Sequence, residues 1–337
     1  DIFPGNQNEQ LTLKPLEQKI IRDFDCREFI YCSDAGLASK NNKLFNSTGG
    51  RSYIITQSLK KLKQEDKDIA LNPKQFRLLG HEGFIDISEL DVYDPSISNN
   101  VYYKIMPKTI GNQEEMVVIT YSTKYRAYQE SIRQEQIGRA LKAISTSGKI
   151  KRTKSNPNDP ARFIKSTNTT INGEVADNVL HELDLEAIEQ EKMYDGFYAV
   201  STNADEDIEE IIKVNKNRWM IEECFRIMKT DFSARPVYLG REDRIKAHFL
   251  ICFSALLVYR LLEKTLDSKY TIDKTIDTIR NMNVLEIEGY GYIPTYTRSE
   301  ITDDLHKKFN FETDREIIKK AKMRNIIKQT KDTKTLR

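Results

Sequence analysis

Arg218, Glu222 and Lys229 are the residues whose types and spacing point most directly to chemistry. At roughly 100° per helical residue they fall within about 40° of one another, on one edge of a helix. Trp219, Met220, Ile221, Phe225, Ile227 and Met228 take up most of the remaining circumference, so the helix is expected to be buried nearly all round, apart from that charged edge. A carboxylate between two cations has two readings. Arg218 and Glu222 are i,i+4 neighbours and could form a salt-bridge ladder. Alternatively, Glu222 binds a metal ion while the cations hold phosphates.

A second carboxylate, Asp34, stands in Asp34-Ala35-Gly36-Leu37, directly after the short apolar run 29–32. Asp-x-Gly after a strand is by itself an ordinary turn. The elements that must carry these groups follow from periodicity. Residues 11–24 have helical spacing (Leu13, Leu16, Ile20, Phe24), and 29–32 and 52–56 read as buried strands. Segments 83–92, 100–106 and 116–121 suggest an antiparallel sheet, a polar helix covers about 125–143, and 145–160 is a loop. Residues 197–200 predict a strand, 208–228 one strong helix and 241–266 a second, with a charged, helical remainder. Within the second helix, 247–262 reads as a buried core segment despite His248 and Arg260.

The chain has 337 residues, 39% hydrophobic and 31% charged, which suits about two folded domains and excludes wholesale disorder. Lys+Arg 53 against Asp+Glu 51 gives a net charge of +2, so a nucleic-acid partner must be argued from local charge. Cys26, Cys32, Cys224 and Cys252 form no CxxC pair and fit reduced thiols. No signal peptide stands out, and no apolar run approaches the roughly 20 residues of a membrane span. The opening Phe3-Pro4-Gly5-Asn6 reads as the start of a fragment in mid-fold.

Arg218-x3-Glu222-x6-Lys229 resembles the signature around the third acidic residue of one large branch of bacterial DDE-type insertion-sequence DNA transposases. The full pattern is Tyr-x2-Arg-x3-Glu-x6-Lys, and Asn215 stands where the tyrosine falls. The likeness extends through Tyr194-Asp195-Gly196-Phe197-Tyr198, Ser201-Thr202-Asn203, Phe225-Arg226 and Lys229-Thr230. It continues in Arg235-Pro236-Val237-Tyr238, Arg244-Ile245, His248, Tyr292-Ile293-Pro294 and Lys322-Met323-Arg324. Upstream, Gly5-Asn6-x-x-Glu9 and Asp34-Ala35-Gly36-Leu37 match as well.

The resemblance implies an RNase H-like α/β core, a mixed sheet flanked by helices, interrupted by a β-rich insertion and followed by a helical C-terminal region. The boundaries expected are 1–57 for a partial core, 58–190 for the insertion, 191–266 for the rest of the core and 267–337 for the C-terminal region. It implies Asp34 and Glu222 as catalytic metal ligands for two Mg²⁺ ions, with Mn²⁺ able to substitute. Arg218, Lys229, Arg235 and Arg244 would hold DNA phosphates. The implied partners are the element's terminal inverted repeats, target DNA and a second copy in a paired-end homodimer, with no membrane, in a bacterial cytoplasm. The family's first aspartate lies upstream of the Phe-Pro-Gly-Asn segment and has no match here, so this polypeptide alone is expected not to catalyse transposition. A catalytically dead remnant that binds DNA or oligomerises is the competing reading, and another RNase H-like nuclease a third. The basic stretch 142–165 reads as a solvated loop or a phosphate-tracking arm. Arg241, Arg244 and Lys246 read as contacts to the DNA backbone or solvated cations, His248 as a satisfied core histidine and Trp219 as core packing.

Overall fold

The computed structural model describes residues 2–146, 156, 158–169 and 178–329. Lys149, Lys151, Arg152 and Lys154 of the expected basic arm lie outside the described residues, as do Lys331 and Lys334. By internal contacts the chain divides into two units, 1–218 and 219–337.

In the first unit the elements run α1 (Gln10–Phe24), β1 (Ile30–Ser33), α2 (Lys40–Phe45), β2 (Ser52–Thr56), α3 (Gln64–Leu71) and β3 (Arg77–Leu78). Then come β4 (Tyr102–Ile110), β5 (Gln113–Tyr121), α4 (Thr123–Ser145), β6 (Ile164–Thr169), β7 (Asn178–Leu183), α5 (Leu185–Lys192), β8 (Phe197–Thr202) and α6 (Ile208–Asn217). Six strands form one mixed sheet in the order β1-β2-β8-β5-β4-β3, and β6 and β7 pair separately. β1 and β2 are parallel and the other neighbours antiparallel. The β-rich middle of the sequence therefore joins the sheet that carries Asp34: β5 pairs directly with β8. Residues 83–92 were expected as a strand. Instead they hold a single bridge, Phe76 to Ile85, and a 3₁₀ turn, Ile87–Glu89, which Asp86 caps by accepting from the Ser88 amide.

β5 occupies an interior position because its run Met116-Val117-Val118-Ile119 is apolar on both faces and β-branched from Val117 onward. Val117, Ile119 and Tyr121 pack with Phe76, Tyr102 and Met106, while Val118 meets Ile54, Val200 and Ile211 of α6. Burial of each such side chain stabilises the fold by about 1.5–3 kcal/mol before entropy is counted. The first face ends in a buried polar cluster. Lys43 Nζ lies 2.9 Å from Glu115 Oε2 and donates to Ser201 Oγ at 2.7 Å, and the Tyr53 and Ser201 hydroxyls donate to the same carboxylate oxygen. This ties α2, immediately downstream of Asp34, to β2, β5 and β8.

The second unit holds α7 (Trp219–Thr230), α8 (Glu242–Thr265), α9 (Ile272–Asn281), the hairpin β9 (Val284–Ile287) and β10 (Gly291–Pro294), α10 (Glu300–Phe309) and α11 (Lys320–Gln329). The hairpin corrects the expectation of an all-helical end. Gly289 and Gly291 have positive φ, and a Cβ on Gly291 would lie 2.2 Å from the Ile318 carbonyl oxygen, so only glycine fits there. α7 and α8 pack through Ile227, Leu256 and Tyr259, with Ile272 of α9 beside them.

Two burial expectations fail in this unit. Trp219 is 58% exposed, and Met220, Ile221 and Phe225 are also exposed, so α7 is not buried all round. α8 is not a core helix either: Leu250, Ile251, Phe253, Leu257, Val258 and Leu261 are exposed. Periodicity finds an apolar face but does not say what covers it. By length and composition α8 could cross a membrane: it spans 24 residues, with mean hydropathy 1.7 over its best 18, of which 17% are buried. This corrects the sequence reading that no run approaches that length.

Candidate active site at the end of the parallel strands

Asp34 leaves the C-terminal end of β1, where its neighbour β2 also ends. It caps the 3₁₀ turn Ala35–Leu37, with Oδ1 accepting from the Gly36 amide at 2.8 Å. A Cβ at Gly36 would stand 3.0 Å from that oxygen, so glycine lets the carboxylate fold back over its own turn while staying exposed. Ser39 then caps α2, and Asn42 Nδ2 donates to the carbonyls of Gln10 and Leu37, joining α1 to the same turn.

Arg218 meets this corner. The helix expected over 208–228 is divided into α6 and α7, and Arg218 is the residue between them, its amide bonded to the Asn215 carbonyl at 3.2 Å. Its Nη1 donates to the Ser33 carbonyl at 3.0 Å and to Thr56 Oγ1 at 2.6 Å, while Thr56 Oγ1 also bonds the Tyr198 hydroxyl at 2.6 Å. The guanidinium therefore spans the ends of two parallel strands, beside the residue that precedes Asp34. Burial pushes the nearby Cys32 thiol up, and the Arg218 charge opposes that shift.

Beside this corner lies a cavity of about 590 Å³ whose lining includes Tyr125, Tyr128, Tyr198, Lys124, Asn215 and Lys216. Tyr125 stacks with Tyr128 at 6.3 Å between ring centroids and meets Tyr198 edge-on at 6.5 Å. Asn215 Oδ1 is buried and accepts no hydrogen bond among the described residues. No spacing in the sequence joins Tyr125 and Tyr128 to Tyr198, because strand pairing makes that neighbourhood. Asn215 drew attention only as a departure from a pattern.

The other predicted residues belong to the second unit. Glu222 and Lys229 are exposed on α7, Arg235 is exposed in the following loop, and Arg244 and Lys246 are exposed in the first turns of α8, where Lys246 pairs with Glu242. Within this unit Arg260 of α8 reaches Glu223 of α7 at 2.8 Å and is steadied by Glu263 of its own helix at 2.6 Å. His248 Nε2 lies 3.2 Å from the Ala234 carbonyl, a satisfied structural histidine. Of the basic stretch 142–165, Arg162 is held by Glu191 at 2.9 Å and lies over the Phe163 ring, a packing role.

Among the described residues no group of three or more His, Cys, Asp or Glu side chains gathers as a metal site. The donors proposed from sequence are hard carboxylate oxygens, the kind Mg²⁺ prefers, but they number two. No family model matches the chain, and no curated protein matches it as a relative.

Proposed function

We propose that the chain is part of a DNA transposase that cuts and joins DNA by metal-dependent phosphoryl transfer. The observation that carries this reading is the hydrogen bond from Arg218 to Ser33. It runs from Arg218, the first residue of the Arg-x3-Glu-x6-Lys motif, to Ser33, the residue before Asp34, across 185 positions of sequence. Arg218 and Asp34, singled out for one chemistry, thus stand at the carboxyl ends of parallel strands, the usual place for a site in an α/β sheet. On this reading the six-stranded mixed sheet belongs to an RNase H-like core, with residues 58–190, β4 and β5 among them, as its insertion.

Asp34 and Glu222 are the residues proposed to hold two Mg²⁺ ions, or Mn²⁺, together with a third carboxylate from an upstream segment. Bound there, the ions would stabilise charge on the attacking and leaving oxygens of a phosphodiester. Lys229, Arg235 and Arg244, exposed in the second unit, are proposed to hold phosphates, with Arg218 contributing its charge. The cavity lining suits a nucleotide: tyrosine faces for a base, Lys124 and Lys216 for phosphate, and the Asn215 oxygen to accept from a base amine. The implied setting is the bacterial cytoplasm, with element ends, target DNA and a second copy as partners.

A DNA-binding remnant is the alternative, favoured by Asn215 at the tyrosine position. One nicking experiment separates the two on DNA bearing the element's ends, with Mg²⁺ or Mn²⁺. The proteins compared are this chain, an upstream-extended chain and the extended chain carrying Glu222→Gln. The transposase reading expects cutting by the extended chain alone. Full-rate cutting by Glu222→Gln would overturn the site, and binding without cutting by the extended chain would establish the remnant.

A further inference from the structure

We infer that Arg218 is a positioning residue for Asp34, and that Thr56 and Tyr198 orient it in that task. The inference assumes the proposed role of Asp34, and it assigns Arg218 work beyond phosphate attraction. Ser33 precedes Asp34, and its carbonyl is the last acceptor of β1 before the chain turns away. That carbonyl and Thr56 Oγ1 both accept from Nη1, so one nitrogen fixes the ends of two strands relative to each other. Thr56 Oγ1 is also within 2.6 Å of the Tyr198 hydroxyl, on the next strand, β8. The relay thus crosses three neighbouring strands, β1, β2 and β8, at the corner where Asp34 emerges.

The chemistry suits a brace. A guanidinium is planar and permanently charged, so its N–H vectors are fixed once the plane is fixed. Hydrogen bonds with a charged donor are roughly twice as strong as neutral ones and are strengthened by partial burial. The Ser33 residue is buried and Thr56 half-buried, so water cannot easily replace the lost donor. Asp34 itself is exposed and held by the Gly36 amide, so its direction depends on how the end of β1 is fixed. A carboxylate that must meet a metal ion needs that direction set before the ion arrives.

Hydrogen exchange read by mass spectrometry on this chain tests the inference without metal or turnover. Thr56→Val keeps the shape and removes the acceptor, Tyr198→Phe removes only the hydroxyl, and Arg218→Gln removes the charge and shortens the side chain. Thr56→Val and Arg218→Gln should speed exchange across 33–37 roughly five- to tenfold, and Tyr198→Phe by roughly two- to threefold. Arg218→Lys should recover part of the protection. Peptides from β4 and β5 should be unchanged in all four. DNA affinity measured in parallel against salt should keep its slope in Thr56→Val, because no phosphate contact has been removed. Unchanged exchange across 33–37 in Thr56→Val and Arg218→Gln would overturn the inference. So would an equal rise over the whole first unit, which marks general stability instead of local positioning. Failure of every variant and the parent to bind DNA would instead sink the proposed function, leaving the exchange result standing.

Discussion

Replacing Lys43 with methionine removes the cation from a cluster in which Lys43 and Glu115 side chains are 6% and 2% exposed. At 2.9 Å their gross attraction is about 6 kcal/mol at an effective dielectric of 20, most of it offset by desolvation. The cost of Lys43→Met is therefore the burial of an unpaired carboxylate, typically ~3–5 kcal/mol. Glu115 keeps the hydroxyl donors of Tyr53 and Ser201, which places the expected loss near the lower figure, about 3 kcal/mol. For a unit of this size that lowers the midpoint by roughly 6–12 °C. Adding Glu115→Gln keeps an acceptor for both hydroxyls and removes the charge, so the double variant should regain most of the loss, with a coupling of about 2 kcal/mol. Trp219, the only tryptophan, lies in the second unit. The assay is therefore far-UV circular dichroism during thermal and urea unfolding of the parent, both single variants and the double variant. A coupling below about 0.5 kcal/mol would overturn the assigned pairing of Lys43 with Glu115, because independent sites simply add.

Three further outcomes follow from buried groups. Desolvation pulls the Lys104 ammonium down to about 8, although it donates to the carbonyls of Ile69 and Asn72. Between pH 8 and 10.5 the unfolded chain therefore holds more protons, and stability should rise with pH there by about 1 kcal/mol after solvent screening is allowed for. Unfolding midpoints from pH 7 to 9.5 check this, below the range in which Tyr31, pushed up to about 12 mainly by burial, acts in the opposite sense. Lys104→Met should flatten the rise. Burial also raises the Glu17 carboxyl, whose oxygens accept from Asn46, while among the described residues Asn46 Oδ1 is buried without a hydrogen-bond partner. Glu17→Gln supplies an amide donor and no charge, so urea unfolding at pH 7 should show a gain of about 1 kcal/mol; a loss beyond that size contradicts the account. Gly196 has φ +82° and a Cβ there would stand 2.6 Å from Tyr121, so Gly196→Ala should cost at least ~2 kcal/mol in the same assay.

Local signals were legible where they act over a few residues. The apolar spacing of Leu13, Leu16, Ile20 and Phe24 gave α1, and the run before Asp34 gave β1 within a residue at each end. What sequence could not supply was pairing. Nothing in Met116-Val117-Val118 says that β5 lies next to β8 in the sheet that bears Asp34; hydrogen bonding between distant strands decides it. The same limit hid the contacts of Arg218 with Ser33 and Thr56, since periodicity shows which residues share a helix edge and not what that edge meets. Apolar content misled at Trp219 and α8 because burial depends on neighbours. The hairpin near Gly291 was missed because its strands are four residues each and sit among charged segments.

The proposal that Asp34 and Glu222 serve one metal centre can be tested by iron-directed cleavage of the polypeptide. Fe²⁺ with ascorbate and peroxide is substituted for Mg²⁺ on the upstream-extended chain bound to DNA ends, and backbone breaks are mapped by mass spectrometry. Breaks should cluster near both Asp34 and Glu222, and Asp34→Asn or Glu222→Gln should each remove both clusters. Breaks at one position that survive loss of the other carboxylate, or none at either, would contradict it.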